Sequence, residues 1–442
     1  MPELSTEEMT KSFASMKAAE PSTKLKTGEL ANKMDENMRC FGTLDDREIF
    51  DRNMSDMKSR PDPPLPEMVL SKFPYFSEGP FTRPIPTAEE VEAVAALTAR
   101  PGRCWPASMV FRINEVYAVK VSAMHSILVE AYNLMYLEKM GIRTPKLYAI
   151  FSHHGCNPQQ IDRVAYTGPL PEYHYLVTEF IDGDLLGDKY ASYSPELQAK
   201  ICASVGDQIQ KLRDIPCPHP EYYGLLDGQS WPGTFPDLHV QDYSPRGPWY
   251  SYDKFVDALI ETARWTCVRD TPYVKDYHVS QRLAFRNYDY IIRNIDTHAR
   301  RPVLSHMDPH GWNIIVKHGS GNEDFEVVFV DWYSLAWVPA WMGIANFMEG
   351  GGYLRPLGDH DMTTYCESVL DRLKGPENFA IAEWWGRKFE WLAGSNPVCN
   401  NLCLYYSTNV QIDTYSLRLL PMFSRITNLI VAVSNPKSLG LR

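Results

Sequence analysis

The sequence predicts an α+β chain of two unequal lobes: a small lobe of mainly antiparallel sheet, then a larger, mostly helical lobe. Three observations carry this reading. The β-like runs Met109–Ile113 and Val116–Val121 are separated by Asn114-Glu115, which is the pattern of a hairpin. Two more β-like runs, Pro145–Phe151 and Tyr173–Phe180, follow after one helical stretch. Beyond Gly183 the apolar spacing becomes mostly that of amphipathic helices.

Size and composition agree with two lobes. A chain of 442 residues exceeds one small domain, and 44% apolar with 12% aromatic residues is enough to fill sizeable cores. The balance of 44 Lys+Arg against 55 Asp+Glu, net −11, argues against a nucleic-acid partner, which needs a basic footprint. Nine Cys are thinly spread, and the close pair Cys399 and Cys403 has no second pair at zinc-finger spacing. Reduced thiols in the cytoplasm are expected. The first residues lack a basic stretch followed by an apolar run, and no run of 18 apolar residues exists. Neither a signal peptide nor a membrane partner is therefore expected.

The elements divide the chain into three parts. Residues 1–86 read as an N-terminal extension that includes the Pro-rich linker Pro61–Pro66. The small lobe spans 87–182. It opens at Thr87 and Glu90, which have capping-box spacing, with Val91, Val94, Ala95 and Leu97 on a helical stripe. The hairpin follows, then a helix from Met124 to Met140 closed by Gly141. The sheet is expected to carry this one helix. The large lobe spans 183–442, with helices expected at Pro195–Leu212, Tyr252–Arg264, Gln281–Arg300, Cys366–Arg372, Glu383–Leu392 and Ser407–Val433. Between them Ile314–Lys317 and Phe325–Val330 form a second hairpin.

The densest chemical signal is Leu304-Ser-His-Met-Asp-Pro-His-Gly-Trp-Asn-Ile-Ile-Val316. It puts His306, Asp308 and Asn313 on a loop, read as joining a helix to a strand. Asp331 follows Asn313 by 18 residues, at the end of the second hairpin, and antiparallel pairing brings it back beside Asn313. Three oxygen-bearing side chains then converge. Magnesium takes hard oxygen ligands and leaves other positions to water and phosphates. Asn313 and Asp331 suit that role, and Asp308 remains to orient a hydroxyl or accept its proton. Upstream, strand alternation puts Ala118 and Lys120 on one face and Val119 and Val121 on the other. Glu130 lies mid-helix, ten residues after Lys120.

In this order the residues His306-Met-Asp308, Asn313 and Asp331, preceded by Ala118-Val-Lys120, resemble the aminoglycoside phosphotransferase family, within the protein-kinase-like fold. The tail from Asp331-Trp332 through Trp341 looks most like the large fungal branch. The resemblance covers roughly residues 105–430 and implies ATP and Mg²⁺ as cofactors and a small-molecule hydroxyl as acceptor. It implies that Ala118 leaves room for adenine, and that Lys120 holds the α- and β-phosphates while Glu130 aims it. It further implies that the Glu179 carbonyl and the Ile181 amide meet the adenine edge, and that His306 braces the catalytic loop. The sequence departs from the family in the loop from Arg100 to Met109, whose single Gly102 gives little of a glycine cradle for phosphates. Met307 stands where a small residue is common.

Other readings stay open on the sequence. A binding or scaffold protein on this fold agrees with the Gly-poor loop but not with the complete Lys–Glu–Asp–Asn–Asp set. A protein kinase would show an Ala-Pro-Glu signal, which is absent, and a third option is another reaction on the same fold. His310 could face the acceptor. Trp332, Trp337 and Trp341 read as core before they read as a substrate cage, and Glu349, Asp359 and Asp361 as solvated before they read as amine receivers.

Overall fold

The computed structural model describes residues 65–98, 108–155, 172–229, 247–260, 289–319, 324–350 and 359–373. Residues 1–64, residues 100–107 of the Gly-poor loop, the Cys399–Cys403 pair and the helices expected at 383–392 and 407–433 lie outside the described residues.

The small lobe is a five-stranded antiparallel sheet in the order β1-β4-β5-β3-β2. Its strands are β1 (Tyr75–Phe76), β2 (Ser108–Ile113), β3 (Tyr117–Ser122), β4 (Leu147–His154) and β5 (Glu172–Glu179). The hairpin β2–β3 turns at Asn114 and Glu115, both at positive φ (51° and 64°). Such φ values let a short turn follow the twist of its strands. β1 pairs with β4 through Tyr75↔Ile150 and Phe76↔Ala149, so the sheet begins before Thr87, earlier than the helical pattern suggested.

Two helices cover this sheet rather than one. α1 (Ala88–Thr98) starts at the expected capping box. The Thr87 N–H donates to Glu90 Oε2 at 2.9 Å, and the Glu90 N–H donates to Thr87 Oγ1 at 3.3 Å. Its Val91 and Ala95 pack on Phe111, Tyr117, Val119, Val121 and Val177. α2 (Ser126–Lys139) covers the Lys120 face and joins a core that runs on into the large lobe. Leu134 and Leu137, both buried, each contribute about 1.5–3 kcal/mol relative to exposure. α2 ends in a left-handed Gly141 (φ 70°), with the Ile142 N–H on Leu137 O and the Gly141 N–H on Glu138 O, both at 3.0 Å. This pair of hydrogen bonds satisfies two of the last carbonyls, and the positive φ favours glycine.

The chain crosses at 180–183 into β6 (Asp184–Leu185), which pairs with β9 (Ile314–His318); β9 in turn pairs with β10 (Phe325–Phe329). Around this sheet lie the short α3 (Leu186–Lys189) and the long α4 (Pro195–Arg213). The Ser194 side chain caps α4 by accepting from the Leu197 N–H at 3.3 Å. A second sheet, in the order β7-β11-β8, joins Gly224–Leu225, Leu335–Pro339 and Pro302–His306. Helices α5 (Ala340–Gly350) and α6 (Asp359–Leu370) close the described part.

The region before the Asp308 loop differs from the sequence reading. Of the helix expected over Gln281–Arg300, residues 281–288 lie outside the described residues; the rest is helical at 289–293, then restarts as the single turn Thr297–Arg300. The chain next enters β8, so His306, Asp308 and Asn313 lie between two strands and not between a helix and a strand. A short apolar run has no distinguishable period, so sequence alone could not name β8 or β11 as strands.

Gly183 is required by close approach. A Cβ there would lie 2.5 Å from Val316 O and 2.9 Å from Lys317 Cα, and this backbone is held by its own ladder. Gly183→Ala is expected to destabilise the protein by about 1–3 kcal/mol. Urea unfolding would show this as a lower midpoint at unchanged slope, and an unchanged midpoint would remove the close-packing argument.

Candidate active site

Two antiparallel ladders build the site. Register places Ile314 opposite Phe329, and the Val330 N–H continues the ladder to Asn313 O at 2.9 Å. Asn313 and Asp331 therefore emerge side by side, as the hairpin argument required. The second ladder pairs His306 with Leu335 and Ser305 with Ala336, and it is extended by the Met307 N–H on Ser334 O at 3.0 Å. It fixes where the chain carrying Asp308 leaves β8. Asp331 lies between the ladders in left-handed conformation, φ 64° and ψ 55°. A non-glycine residue held there is uncommon. Here the chain has to leave one sheet and enter the other within a few residues.

Lys120 projects from β3 on the same face as Ala118, while Val119 and Val121 are buried on the other. Its Nζ lies 2.7 Å from Glu130 Oε2 and also contacts Asp331 Oδ1. Burial works against the Lys120 charge, but Asp331 and Glu130 outweigh it and raise the pKa, so the ammonium persists. Burial pushes the Glu130 carboxyl up; Lys120 pulls it down and Asp331 adds to the rise.

α2 orients Glu130. Asn133, three residues further on the same face, donates to Trp332 O at 2.7 Å. The Trp332 backbone also hydrogen-bonds Glu130. α2 is thereby docked on the residue next to Asp331. Asn133 was not singled out from the sequence, although its spacing from Glu130 was the available signal.

His306 ties the loop that carries Asp308 to the neighbouring backbone. His306 Nε2 lies 3.0 Å from Val330 O, and the Asp308 N–H reaches His306 Nδ1 at 3.1 Å. A carbonyl only accepts and an N–H only donates, so the ring is the neutral Nε2–H tautomer with both nitrogens in use. Trp332 covers it edge-on, with ring centroids 4.7 Å apart. His306 therefore bonds to the loop backbone. Burial lowers its pKa. Asn313 Nδ2 donates to Asp308 O at 2.9 Å and Oδ2 at 3.2 Å, leaving its amide oxygen as the remaining acceptor. His310 Nε2 stands 3.5 Å from Asp308 Oδ1. Burial pushes the Asp308 carboxyl up, but His310, His306 and Asn313 together hold it below the usual range, so it is ionised.

At the crossover, Glu179 ends β5, and the buried Ile181 follows in the connection to β6. The Glu179 side chain engages Arg143, and its N–H donates to Lys146 O at 2.8 Å. Thr178 Oγ1 donates to Ala118 O at 3.3 Å, closing the sheet beside that position. Trp332, Trp337 and Trp341 are all buried, which makes them core and no cage. The side chains of Glu349, Asp359 and Asp361 lie outside the described set.

Among the described residues no three His, Cys, Asp or Glu side chains gather to hold a metal. No described helix is long and apolar enough to cross a membrane.

The sequence model of the phosphotransferase enzyme family (APH) matches residues 94–356. No curated protein matches the chain. Among solved structures, the chain is similar to the streptomycin–ATP ternary complex of APH(2″)-IIa, with 15% identity, 70% of this chain and 88% of that chain covered, and TM-score 0.41. It is similar to aminoglycoside phosphotransferase APH(3″)-Id from Streptomyces rimosus, with 14% identity, coverages of 65% and 89%, and TM-score 0.39. It is also similar to a choline/ethanolamine kinase family protein from Mesorhizobium loti, with 13% identity, coverages of 79% and 95%, and TM-score 0.40.

The brace has a pH signature. Unfolded His306 takes up a proton near its ordinary 6.5, whereas the folded ring resists it to lower pH. Its contribution is therefore complete above 6.5 and is lost as pH falls towards the folded value. His174, buried and 2.7 Å from Ser152 Oγ, shifts the same way. His306→Asn is expected to weaken the fall in unfolding free energy between about pH 6.5 and 5 by up to about one proton's worth of slope. Urea titrations at each pH measure this, and an unaltered slope would remove His306 as its source.

Proposed function

The chain belongs to the phosphotransferase enzyme family, and on that footing we propose that it transfers the γ-phosphoryl group of ATP to a hydroxyl of a small molecule. The observation that carries this reading is the convergence on Lys120. A small-lobe ammonium meets Glu130 and Asp331, and Asp331 is laid beside Asn313 and its partner Asp308 by one hairpin.

Each residue then has a role that its position supports. Lys120, aimed by Glu130, holds the α- and β-phosphates. Ala118 leaves space for the adenine, whose edge meets the Glu179 carbonyl and the Ile181 amide. Asp308, ionised and oriented by Asn313 and His310, accepts the acceptor's proton on a carboxylate oxygen. The acceptor oxygen bonds to the γ-phosphorus as the bond to the β–γ bridging oxygen breaks, and ADP leaves with that electron pair. His306 keeps Asp308 in place through the loop backbone.

Magnesium fits the donor set, since Asp331 and the Asn313 amide oxygen are hard ligands and a site with so few protein ligands relies on phosphate oxygens for the rest. When bound it neutralises charge on the transferring phosphate. Phosphoryl transfer asks little covalent chemistry of a protein, so positioning does most of the work of this chain's residues.

Magnesium-dependent thermal stabilisation by ATP tests the reading. At a hundred times its dissociation constant, ATP should stabilise the fold by about 2.7 kcal/mol, and Asp331→Ala should abolish the effect. Asp308→Asn should keep nucleotide binding and lower kcat by about 10²–10⁴-fold with any accepted alcohol. A folded wild type that shows no shift with ATP or GTP would overturn the proposal in favour of a binding protein on the same fold.

A further inference from the structure

Arg143 lies in the loop between α2 and β4, outside every element considered so far, and its guanidinium is saturated. Nε donates to Glu326 Oε1 at 2.7 Å and Nη2 to Glu326 Oε2 at 3.2 Å. Nη1 donates to Glu179 Oε2 at 2.8 Å and Nη2 to Glu179 Oε1 at 3.1 Å. The second Nη1 hydrogen meets Thr144 O. All five donors of the fork are matched one to one.

The two carboxylates belong to different parts of the molecule. Glu179 is the last residue of β5, immediately before the crossover. Glu326 is on β10, five residues before Asp331 and directly opposite Lys317 of β9. Lys317 Nζ adds a fourth charge, 3.9 Å from Glu179 Oε1. Glu179 follows Thr178, so strand alternation turns its side chain to the sheet face away from Lys120. The cluster thus joins small lobe, crossover and catalytic hairpin at a second point, separate from the Lys120 contacts. Gly183 touches the backbone of the same hairpin at Val316.

We propose that Arg143 is a positioning residue for the nucleotide: by clamping Glu179 to Glu326 it fixes the crossover backbone against the hairpin that carries Asn313 and Asp331. This rests on the function proposed above, because the crossover is where the adenine edge is placed. Arg143 touches no reacting atom. It sets the distance between the backbone that holds the base and the side chains that hold the phosphates. A lysine cannot replace it, since a point charge on a flexible stem makes no bidentate fork. The pair with Glu326 is half-exposed, with side-chain exposures of 31% and 42%, so an isolated ion pair here would contribute little. The constraint comes from two forks sharing one rigid plane.

The test combines amide hydrogen exchange on the nucleotide-free protein with steady-state kinetics, for wild type, Arg143→Met, Arg143→Lys and Glu326→Gln. Arg143→Met and Glu326→Gln should each speed exchange at both 179–185 and 325–331, leaving α1 unaffected. The KM for ATP should rise roughly tenfold, as expected for loss of a coupling of ordinary size, with a much smaller change in kcat and in the acceptor KM. Arg143→Lys should resemble Arg143→Met. The double variant Arg143→Met/Glu326→Gln should be no worse than Arg143→Met alone, because one interaction is being removed twice. Unchanged exchange at either segment, additive effects, or full function in Arg143→Lys would each overturn the clamp. Exchange needs no nucleotide, so it decides the clamp even if wild type fails to bind ATP, an outcome that would count against the proposed function alone.

Discussion

A single ammonium shared by two carboxylates is the contact through which the two lobes become one site. Lys120 comes from the small-lobe sheet, Glu130 from the helix behind it and Asp331 from the large-lobe hairpin. Burying any of these charges alone is costly, and only the partners offset that cost. Their positions are therefore mutually required. The β3 register sets which face carries Lys120, the rotation of α2 presents Glu130 together with Asn133, and the end of β10 delivers Asp331. The net effect is that Lys120 remains a cation and the lobes meet at a defined place.

The large lobe meets this requirement with two ladders that share one stretch of chain. β9 and β10 bring Asn313 and Asp331 together, and β8 and β11 anchor the start of the Asp308 loop and the far side of Asp331. His306 and Val330 bond across the gap between the ladders. With each sheet fixed by its own hydrogen bonds, the few residues between them have little freedom. The left-handed Asp331 follows from that geometry, because the backbone must change direction there. The strain sits at the residue whose carboxylate has to be aimed, which is where such conformations tend to be found.

How much of this was legible in the sequence depended on whether the signal was local. The β2–β3 hairpin, α2 with its Gly141 stop, the Thr87–Glu90 capping box and the β9–β10 hairpin all have short-range signatures, and each appears. The approach of Asp331 to Asn313 was legible because a hairpin fixes register. β8 and β11 were not, since Pro302–His306 and Leu335–Pro339 are short apolar runs whose pairing spans some thirty residues. The two-residue β1 was missed for the same reason: its partner among the described residues is the distant β4. Arg143 had no sequence signal at all. A loop arginine declares its role only when carboxylates from β5 and β10 are seen converging on it.

Lys120 and Arg143 both bridge the lobes but differ in kind, and the difference matches their places. Lys120 is a point charge on a flexible stem with three rotatable donors. It can exchange one oxygen partner for another at small geometric cost, as the phosphate-holding role proposed for it requires. Arg143 is a planar fork whose five hydrogens are all directed and all matched, so moving either carboxylate breaks two bonds together. The Lys120 contact is thus the one able to rearrange under the proposed function, while the Arg143 contact on the other sheet face holds its geometry. A phosphotransferase that relies on positioning more than on covalent chemistry needs both properties. On the proposed reading Lys120 and Arg143 supply them separately, with the exchangeable charge at the proposed site and the fixed one beside the crossover.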